Sequence, residues 1–143
     1  MYKTRLKIVS LVLSMALVLS FFPSTGVNAA VRSGECGANG NNLTWTLDDA
    51  GTLTISGTGA MEDWEQPDLT VNPAPWGNND KTETRKIVNV IIEDGVTTIG
   101  NNAFYSCADL SSIDIPTSVT SIGDYAFNGC SSLTTIDIPD GVT

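Results

Sequence analysis

Two stretches near the C-terminus repeat one sequence pattern at an interval of 23 residues. Residues 94–116 have the sequence DGVTTIGNNAFYSCADLSSIDIP, residues 117–139 have TSVTSIGDYAFNGCSSLTTIDIP, and a third copy begins at Asp140. A fixed period of this size is typical of a solenoid, in which each unit buries its apolar face only against its neighbours. Solenoids usually present surfaces rather than catalytic clefts, so the repeat favours a protein that works by binding.

The apolar positions of the repeat predict where strands and corners lie. Residues 87–92, 110–115 and 133–138 are equivalent, and the last two segments spell L-x-x-I-x-I, the strand pattern of leucine-rich repeats. Gly123 is expected to allow a tight corner, and a short helical or 3₁₀ turn is expected to begin at Ala126. We therefore predict a β-rich leucine-rich repeat solenoid over residues 87–143, with two full coils and a partial third.

The N-terminus has the features of a secretory signal peptide over residues 1–29. Three cations precede an apolar run at residues 8–22, and the small residues Val27 and Ala29 suit the −3 and −1 positions of a cleavage site. A membrane anchor is the less favoured alternative, because fifteen apolar residues fall short of the roughly 20 that a spanning helix needs. We therefore expect an exported chain that is cleaved after Ala29 and not inserted in the membrane.

Two further segments lie between the signal peptide and the repeats. Residues 30–42 are Gly/Asn-rich without an apolar period, which predicts a flexible lead-in. Residues 43–86 begin with alternating segments at 43–47 and 52–56 around an Asp-Asp-Ala-Gly turn, a pattern that predicts a β-hairpin. We interpret residues 43–86 as a β-hairpin cap module that covers the apolar end of the first coil, with the help of Trp45, Trp64 and Trp76.

The charge balance argues against nucleic acid and anionic membranes as partners. The chain has 7 cationic and 16 acidic residues, and cleavage would remove Lys3, Arg5 and Lys7, leaving a net charge of −12 on 114 residues. Such a surface repels phosphate groups. It favours solubility outside the cell without identifying a partner.

The three cysteines do not predict a disulfide framework. Cys107 and Cys130 hold equivalent repeat positions, and two buried thiols that fill space in the coil are favoured over a disulfide between them. Cys36 lies in the Gly/Asn-rich segment, where it could be free or pair with another chain.

The sequence offers little catalytic chemistry. It has no His, which removes the usual general base and the commonest metal ligand, and it has no motif for phosphate binding or a nucleophile. Glu62, Asp63, Glu65 and Asp68 could bind Ca²⁺, but the Asp-x-Asp-Gly order of a calcium loop is absent and a solvated acidic loop is favoured. We therefore predict no enzyme, no metal site and no cofactor.

The exposed stripe of the repeat strands is the candidate binding surface. Solenoid strands present extended faces to partners. Asp114 and Asp137 are equivalent positions within it, and we attribute the pair to repeat copying rather than to catalysis, because a solvated strand face would not perturb one carboxyl group. The stripe comprises Asn89, Ile91, Ser112, Asp114, Thr135 and Asp137.

The motifs quoted above resemble a known family. The repeat PTSVTSIGDYAFNGCSSLTTIDI at residues 116–138 resembles the bacterial surface leucine-rich repeats of the BspA type. The module SGECG…NLTWTLDDAGTLTISGTGAM…APW at residues 33–76 is similar to a segment often found before such repeats. The resemblance implies a secreted or cell-surface protein, and several members of the family mediate adhesion to host proteins or cells.

Three hypotheses follow for the function. The leading one is a secreted or surface-attached, non-catalytic protein that binds a host or bacterial surface protein or a glycan. The alternative is the non-catalytic N-terminal module of a larger secreted enzyme, such as a peptidase or glycoside hydrolase. A gene fragment without an independent role is the third, and the halt in the third copy leads us to expect an N-terminal piece of a longer protein.

Overall fold

The computed structural model describes residues 32–65, 72–77 and 87–143. The predicted signal peptide at residues 1–29 lies outside these ranges. Within them, no helix has the length and apolar character needed to cross a membrane.

Eight strands form two sheets in the described part of the chain, which contains no helix. The strands are β1 (Arg32–Gly37), β2 (Gly40–Leu47), β3 (Thr52–Gly57), β4 (Gly59–Ala60), β5 (Asn89–Ile92), β6 (Val96–Ile99), β7 (Ser112–Asp114) and β8 (Ser121–Ile122). A five-stranded sheet, called sheet A, has the order β1-β2-β3-β5-β7. A three-stranded sheet, called sheet B, has the order β4-β6-β8.

The predicted β-hairpin is confirmed. Strands β2 and β3 pair antiparallel with Trp45 opposite Ile55. The backbone N–H of Thr52 donates to Asp48 Oδ1 at 2.8 Å and so closes the turn that the Asp-Asp-Ala-Gly sequence predicts. The apolar side chains of the hairpin alternate with polar ones and are all buried in the core, namely Leu43, Trp45, Leu47, Leu53 and Ile55.

The lead-in over residues 30–42 was wrongly predicted to be flexible, because most of it forms strands. Strand β1 pairs antiparallel with β2 across a turn at residues 38–39. The polar residues here form specific hydrogen bonds: Asn42 Oδ1 accepts from Asn39 N at 3.0 Å, and Asn42 Nδ2 donates to Thr58 O at 3.1 Å. A Gly/Asn-rich edge strand of this kind needs few apolar side chains, which explains why no apolar period marks it.

The hairpin and the repeats share one sheet. Strand β3 pairs parallel with β5, placing Leu53 beside Val90. Strand β5 pairs parallel with β7, and each pair joins residues 23 positions apart, such as Val90 with Ile113. Sheet B repeats this offset, since Ile99 pairs with Ile122.

The segments that follow β6 and β8 are successive turns, which agree with the 3₁₀ alternative of the predicted short helical or 3₁₀ turn. Within residues 101–106 the turns are closed by hydrogen bonds between residues three apart, such as the one from Tyr105 N to Asn102 O at 3.1 Å. Asn102 and Tyr125, one repeat apart, have left-handed backbones with φ of 57° and 56°, which interrupts a right-handed helix. The turns also bond to each other, since Phe104 N donates to Ala126 O at 2.8 Å.

Gly123 has a different role from the one predicted. Its φ is not left-handed, but a Cβ atom at this position would overlap Asn101 of the preceding repeat. Glycine is therefore required because the two turns approach closely, and not because the corner needs a left-handed backbone.

The expected third strand, at residues 133–138, does not form in the structure. The segments on either side of it still bond to the preceding repeat, since Ser132 N donates to Ala108 O at 3.2 Å and Thr143 N donates to Thr120 O at 3.1 Å. Ile138 is 53% exposed, whereas the equivalent Ile115 is 9% exposed. The difference has a simple cause: repeat 117–139 covers the first repeat, and no described segment covers the second.

A continuous aromatic column joins the N-terminal module to the repeats. Trp76 contacts Trp45 and Trp64 edge-on, with ring centroids 6.1 and 5.1 Å away. Its other side stacks on Phe104 at 5.7 Å, and Phe104 stacks on Phe127 at 5.4 Å. The core therefore runs without a break from the hairpin into the second repeat.

Candidate binding face

The outward side of sheet A is a polar surface that spans all five of its strands. Because side chains alternate along each strand, the residues between the core positions point away from the core. We call this surface the outer face, and it comprises Ser33, Glu35, Thr44, Thr46, Thr52, Thr54, Ser56, Asn89, Ile91, Ser112 and Asp114.

Strand register aligns these side chains in rows across the sheet. One row follows the pairing of Ser33 with Thr46, Thr46 with Thr54, Thr54 with Ile91 and Ile91 with Asp114. The neighbouring row is Thr52, Asn89 and Ser112. Within it Ser112 Oγ donates to Asn89 Oδ1 at 2.6 Å, which fixes both side chains.

The structure brings four of the six predicted surface residues together. Asn89, Ile91, Ser112 and Asp114 lie on adjacent strands, and all but the partly buried Asn89 are exposed. Thr135 and Asp137 are exposed as well, but they lie outside any strand and no ladder pairs them with β7.

Sequence reasoning missed the hairpin half of the outer face. The hairpin itself was predicted, but nothing placed it in the sheet of the repeats, so Thr44, Thr46, Thr52 and Thr54 were not predicted to belong to the binding surface. The Thr-x-Thr alternation in both hairpin strands is the sequence feature that could have indicated a polar outward face. The 23-residue period could not reveal that the hairpin pairs with the repeats. Thr52 pairs with Asn89, and the sequence between them does not repeat.

The acidic loop holds no metal-ligating cluster in the described part of the chain. Glu62, Asp63 and Glu65 are exposed, and Asp68 lies outside the described residues. No group of three or more carboxylate, thiol or imidazole side chains in that part is arranged to bind a metal ion. Asp63 instead accepts a hydrogen bond from Asn101 N at 2.8 Å, which fastens the loop to the first repeat.

The three cysteines are free thiols held in or near the core. Cys36 lies on β1 and is 1% exposed, so it belongs to the core and not to a loop. Cys107 is also fully buried and accepts from Asn72 Nδ2 at 3.3 Å. Cys130 is only partly buried, and its thiol donates to Phe104 O at 3.1 Å.

Burial disfavours ionisation of all three thiols. It raises the pKa of Cys36 to about 12, with the Glu62 carboxylate adding to the effect. It raises the pKa of Cys107 to about 12, to which Cys130 contributes and which the Asn72 hydrogen bond opposes. The pKa of Cys130 rises to about 11, again through burial, and a backbone hydrogen bond opposes the shift.

We expect all three thiols of the folded protein to react with Ellman's reagent at pH 8 at least about 100-fold more slowly than in urea, because the thiolate is the reactive form. The unfolded chain loses these protons near pH 9.0 and the folded one near 11 to 12. This contribution to stability is therefore complete below about pH 9 and is lost as the pH rises towards 12. Rapid labelling of one thiol in the native protein would show that its site is open.

Comparison with known proteins identifies the repeats. Residues 81–143 match the family model described as a BspA type leucine-rich repeat region of six copies. Residues 81–143 are a BspA-type leucine-rich repeat region. Strands β5 and β7 of sheet A and strands β6 and β8 of sheet B belong to this region, and β5 joins it to the hairpin by pairing with β3.

A solved structure extends the similarity beyond the BspA-type region. A leucine-rich repeat protein from Eubacterium ventriosum is 33% identical over 70% of this chain, with a TM-score of 0.56. The match covers 24% of that protein, so this chain spans about a quarter of its length. A leucine-rich repeat protein from T. pallidum matches at 22% identity and a TM-score of 0.40, over 76% of this chain and 51% of that one. No curated protein matches.

Proposed function

We propose that this chain is a secreted or cell-surface, non-catalytic leucine-rich repeat protein that binds a surface protein or glycan through the outer face of sheet A. The observation that carries the proposal is the continuous polar surface over five hydrogen-bonded strands. Leucine-rich repeat domains generally bind proteins, and BspA-type members are typically secreted or surface proteins. The signal-peptide features at residues 1–29 support export.

The proposed architecture is a solenoid of 23-residue coils with the hairpin module as its N-terminal cap. The offset of 23 residues between paired strands supports the coil repeat. The burial of Trp76 between Trp45, Trp64 and Phe104 supports the cap, because an uncovered first coil would expose the apolar side of Phe104 to water. In this arrangement the hairpin both covers the core and enlarges the binding face.

The chemistry of the outer face suits a partner that offers hydrogen-bond donors and some positive charge. Hydroxyl groups of Thr and Ser dominate the rows, and Glu35 and Asp114 supply negative charge at opposite edges of the sheet. Ile91, on β5 beside the edge strand β7, is 36% accessible and gives the face an apolar contact. Such a mixture favours macromolecular recognition over catalysis, since no carboxyl group of the face is enclosed.

Reversal of Asp114 and Asp137 to Lys is expected to weaken binding to host cells or matrix proteins about tenfold, because charge complementarity steers and orients the partner. Binding is measured by surface plasmon resonance against matrix proteins and by adhesion to cultured cells. The matched control reverses Asp109 and Asp140 to Lys, since both are exposed acids away from the outer face and change the net charge equally.

Two results would contradict the proposal. Equal weakening by the control variant would show that net charge, and not the outer face, governs binding. The absence of binding to any host or cell-wall component would remove the proposed function altogether.

A further inference from the structure

A second concave surface lies away from the outer face, where the loop after β4 meets the turns of both repeats. It is a cavity of about 410 Å³, which we call the turn cavity. Its lining consists of Asp63, Trp64 and Glu65 from the loop, Asn101 and Asn102 from the first repeat, and Asp124 and Tyr125 from the second. Its volume is within the range of small-molecule sites, and none of its lining residues belongs to a strand.

The walls of the turn cavity are fastened to one another. Asn101 N donates to Asp63 Oδ1 at 2.8 Å, and Asp124 N donates to Asn101 Oδ1 at 2.6 Å. Asn102 Nδ2 donates to Trp64 O at 2.7 Å. Three segments that are distant in sequence are thus held by hydrogen bonds, so the cavity is preformed and a ligand need not order it.

The lining combines two aromatic rings with carboxylate and amide groups. Trp64 is held edge-on against Trp76 at 5.1 Å, and Tyr125 is 66% exposed. The aromatic rings offer apolar faces, while Asp63, Glu65 and Asp124 offer acceptors for hydroxyl donors. A sugar ring has an apolar C–H side and hydroxyl groups at its rim, so it uses both kinds of group.

A buried amide group in the cavity wall also indicates a binding site. Asn102 is 8% exposed in the cavity wall, and its Oδ1 has no hydrogen-bond partner although its Nδ2 is bonded. Buried polar atoms without a partner are rare, and each requires an explanation. This oxygen is closed off from solvent, so a ligand hydroxyl would reach it only after side chains of the wall shift, while the hydrogen bonds that hold the backbone of the wall stay in place.

We propose that the turn cavity is a saccharide-binding site, in which Trp64 and Tyr125 contact the sugar ring and the carboxylates of Asp63, Glu65 and Asp124 accept from its hydroxyl groups. A cationic peptide would satisfy the carboxylates, but the two aromatic rings and the uncharged amides of the lining suit a neutral ligand with C–H faces and hydroxyl groups. The site is separate from the outer face and does not depend on the function proposed for it.

The test begins with a printed array of plant, host and bacterial oligosaccharides, probed with the whole protein. The best-bound oligosaccharide is then titrated while tryptophan fluorescence is followed, and saturable quenching is expected because Trp64 lines the cavity. Tyr125→Asn is expected to raise Kd about tenfold through loss of the ring. This variant should fold, since its equivalent Asn102 adopts the same left-handed backbone.

Two controls make the result decisive. Tyr125→Phe keeps the ring and should bind within about twofold of the parent, whereas reversal of Asp114 and Asp137 to Lys on the outer face should leave sugar binding unchanged. The proposal is overturned if no saccharide on the array binds, if Tyr125→Asn binds as well as the parent, or if hexalysine binds in the cavity and the sugars do not.

Discussion

Replacement of Trp76 by alanine is expected to lower the free energy of unfolding by about 3–5 kcal/mol, the usual cost of removing a buried tryptophan. Trp76 is 1% exposed and lies at the junction of the aromatic column. Its ring contacts Trp45 and Trp64 on one side and Phe104 on the other. The substitution therefore leaves a cavity between the hairpin module and the first repeat.

The same substitution also removes a buried hydrogen bond. Trp76 Nε1 donates to Ala103 O at 2.8 Å, and Asn72 Nδ2 donates to the same oxygen at 3.3 Å. Because Asn72 still satisfies the carbonyl after the change, most of the expected loss comes from packing and not from an unpaired acceptor.

The measurement is urea unfolding followed by circular dichroism, with Trp76→Phe as the control. Phenylalanine keeps a ring against Phe104 and loses the hydrogen bond, so it should cost about 1–2 kcal/mol. Trp76→Ala should also expose Phe104 and increase binding of a hydrophobic dye. If Trp76→Ala and Trp76→Phe were equally stable, the ring contacts would not be what joins the module to the repeats.

The repeat half of the fold was predictable because its information is local and copied. Val90, Ile113 and the positions around them recur every 23 residues, and the structure pairs them at that offset. The hairpin was predictable for a similar reason, since Leu43 to Ile55 alternate around a recognisable turn. In both cases a short stretch of sequence contains the apolar pattern and the turn residues that determine the strands.

The remaining features depend on contacts between segments that share no pattern. Strand β1 was missed because its backbone pairs with β2 and the turn between them is held by the Asn39–Asn42 hydrogen bond, neither of which produces an apolar periodicity. The sequence left a helical and a 3₁₀ turn open at Ala126, because Ala126 and Phe127 are compatible with either structure. Only the left-handed backbone at Asn102 and Tyr125, together with bonds to the next repeat, decides between them.

The candidate sites likewise combine residues that were predictable from local sequence with residues that depend on contacts between distant segments. Asn89 and Asp114 on the outer face follow from the repeat, whereas the threonines of the hairpin required the pairing of β3 with β5. The turn cavity could not be predicted, because it assembles Trp64 from an aperiodic loop with Asn102 and Tyr125 from two repeats.

Replacement of Gly100 by alanine is expected to lower the free energy of unfolding by about 3 kcal/mol, at the upper end of the usual cost of overpacking. A Cβ atom on Gly100 would overlap the backbone carbonyl of Glu62, which cannot rotate away as a flexible side chain could. The loop must then move off the first repeat. This movement strains the bonds from Asn101 N to Asp63 Oδ1 and from Trp64 N to Asn101 O, which are 2.8 and 3.2 Å long.

Chemical unfolding measures the loss, and Gly141→Ala provides the matched control because a Cβ there meets no atom within 4 Å. The control should change stability by less than about 0.5 kcal/mol. Gly100→Ala should also shift tryptophan emission to longer wavelength, since Trp64 moves with the loop. A Gly100→Ala protein as stable as the control, with unchanged emission, would show that the loop does not pack against the first repeat. Because the loop and that repeat form opposite walls of the turn cavity, such a result would remove the structural basis of the saccharide site as well.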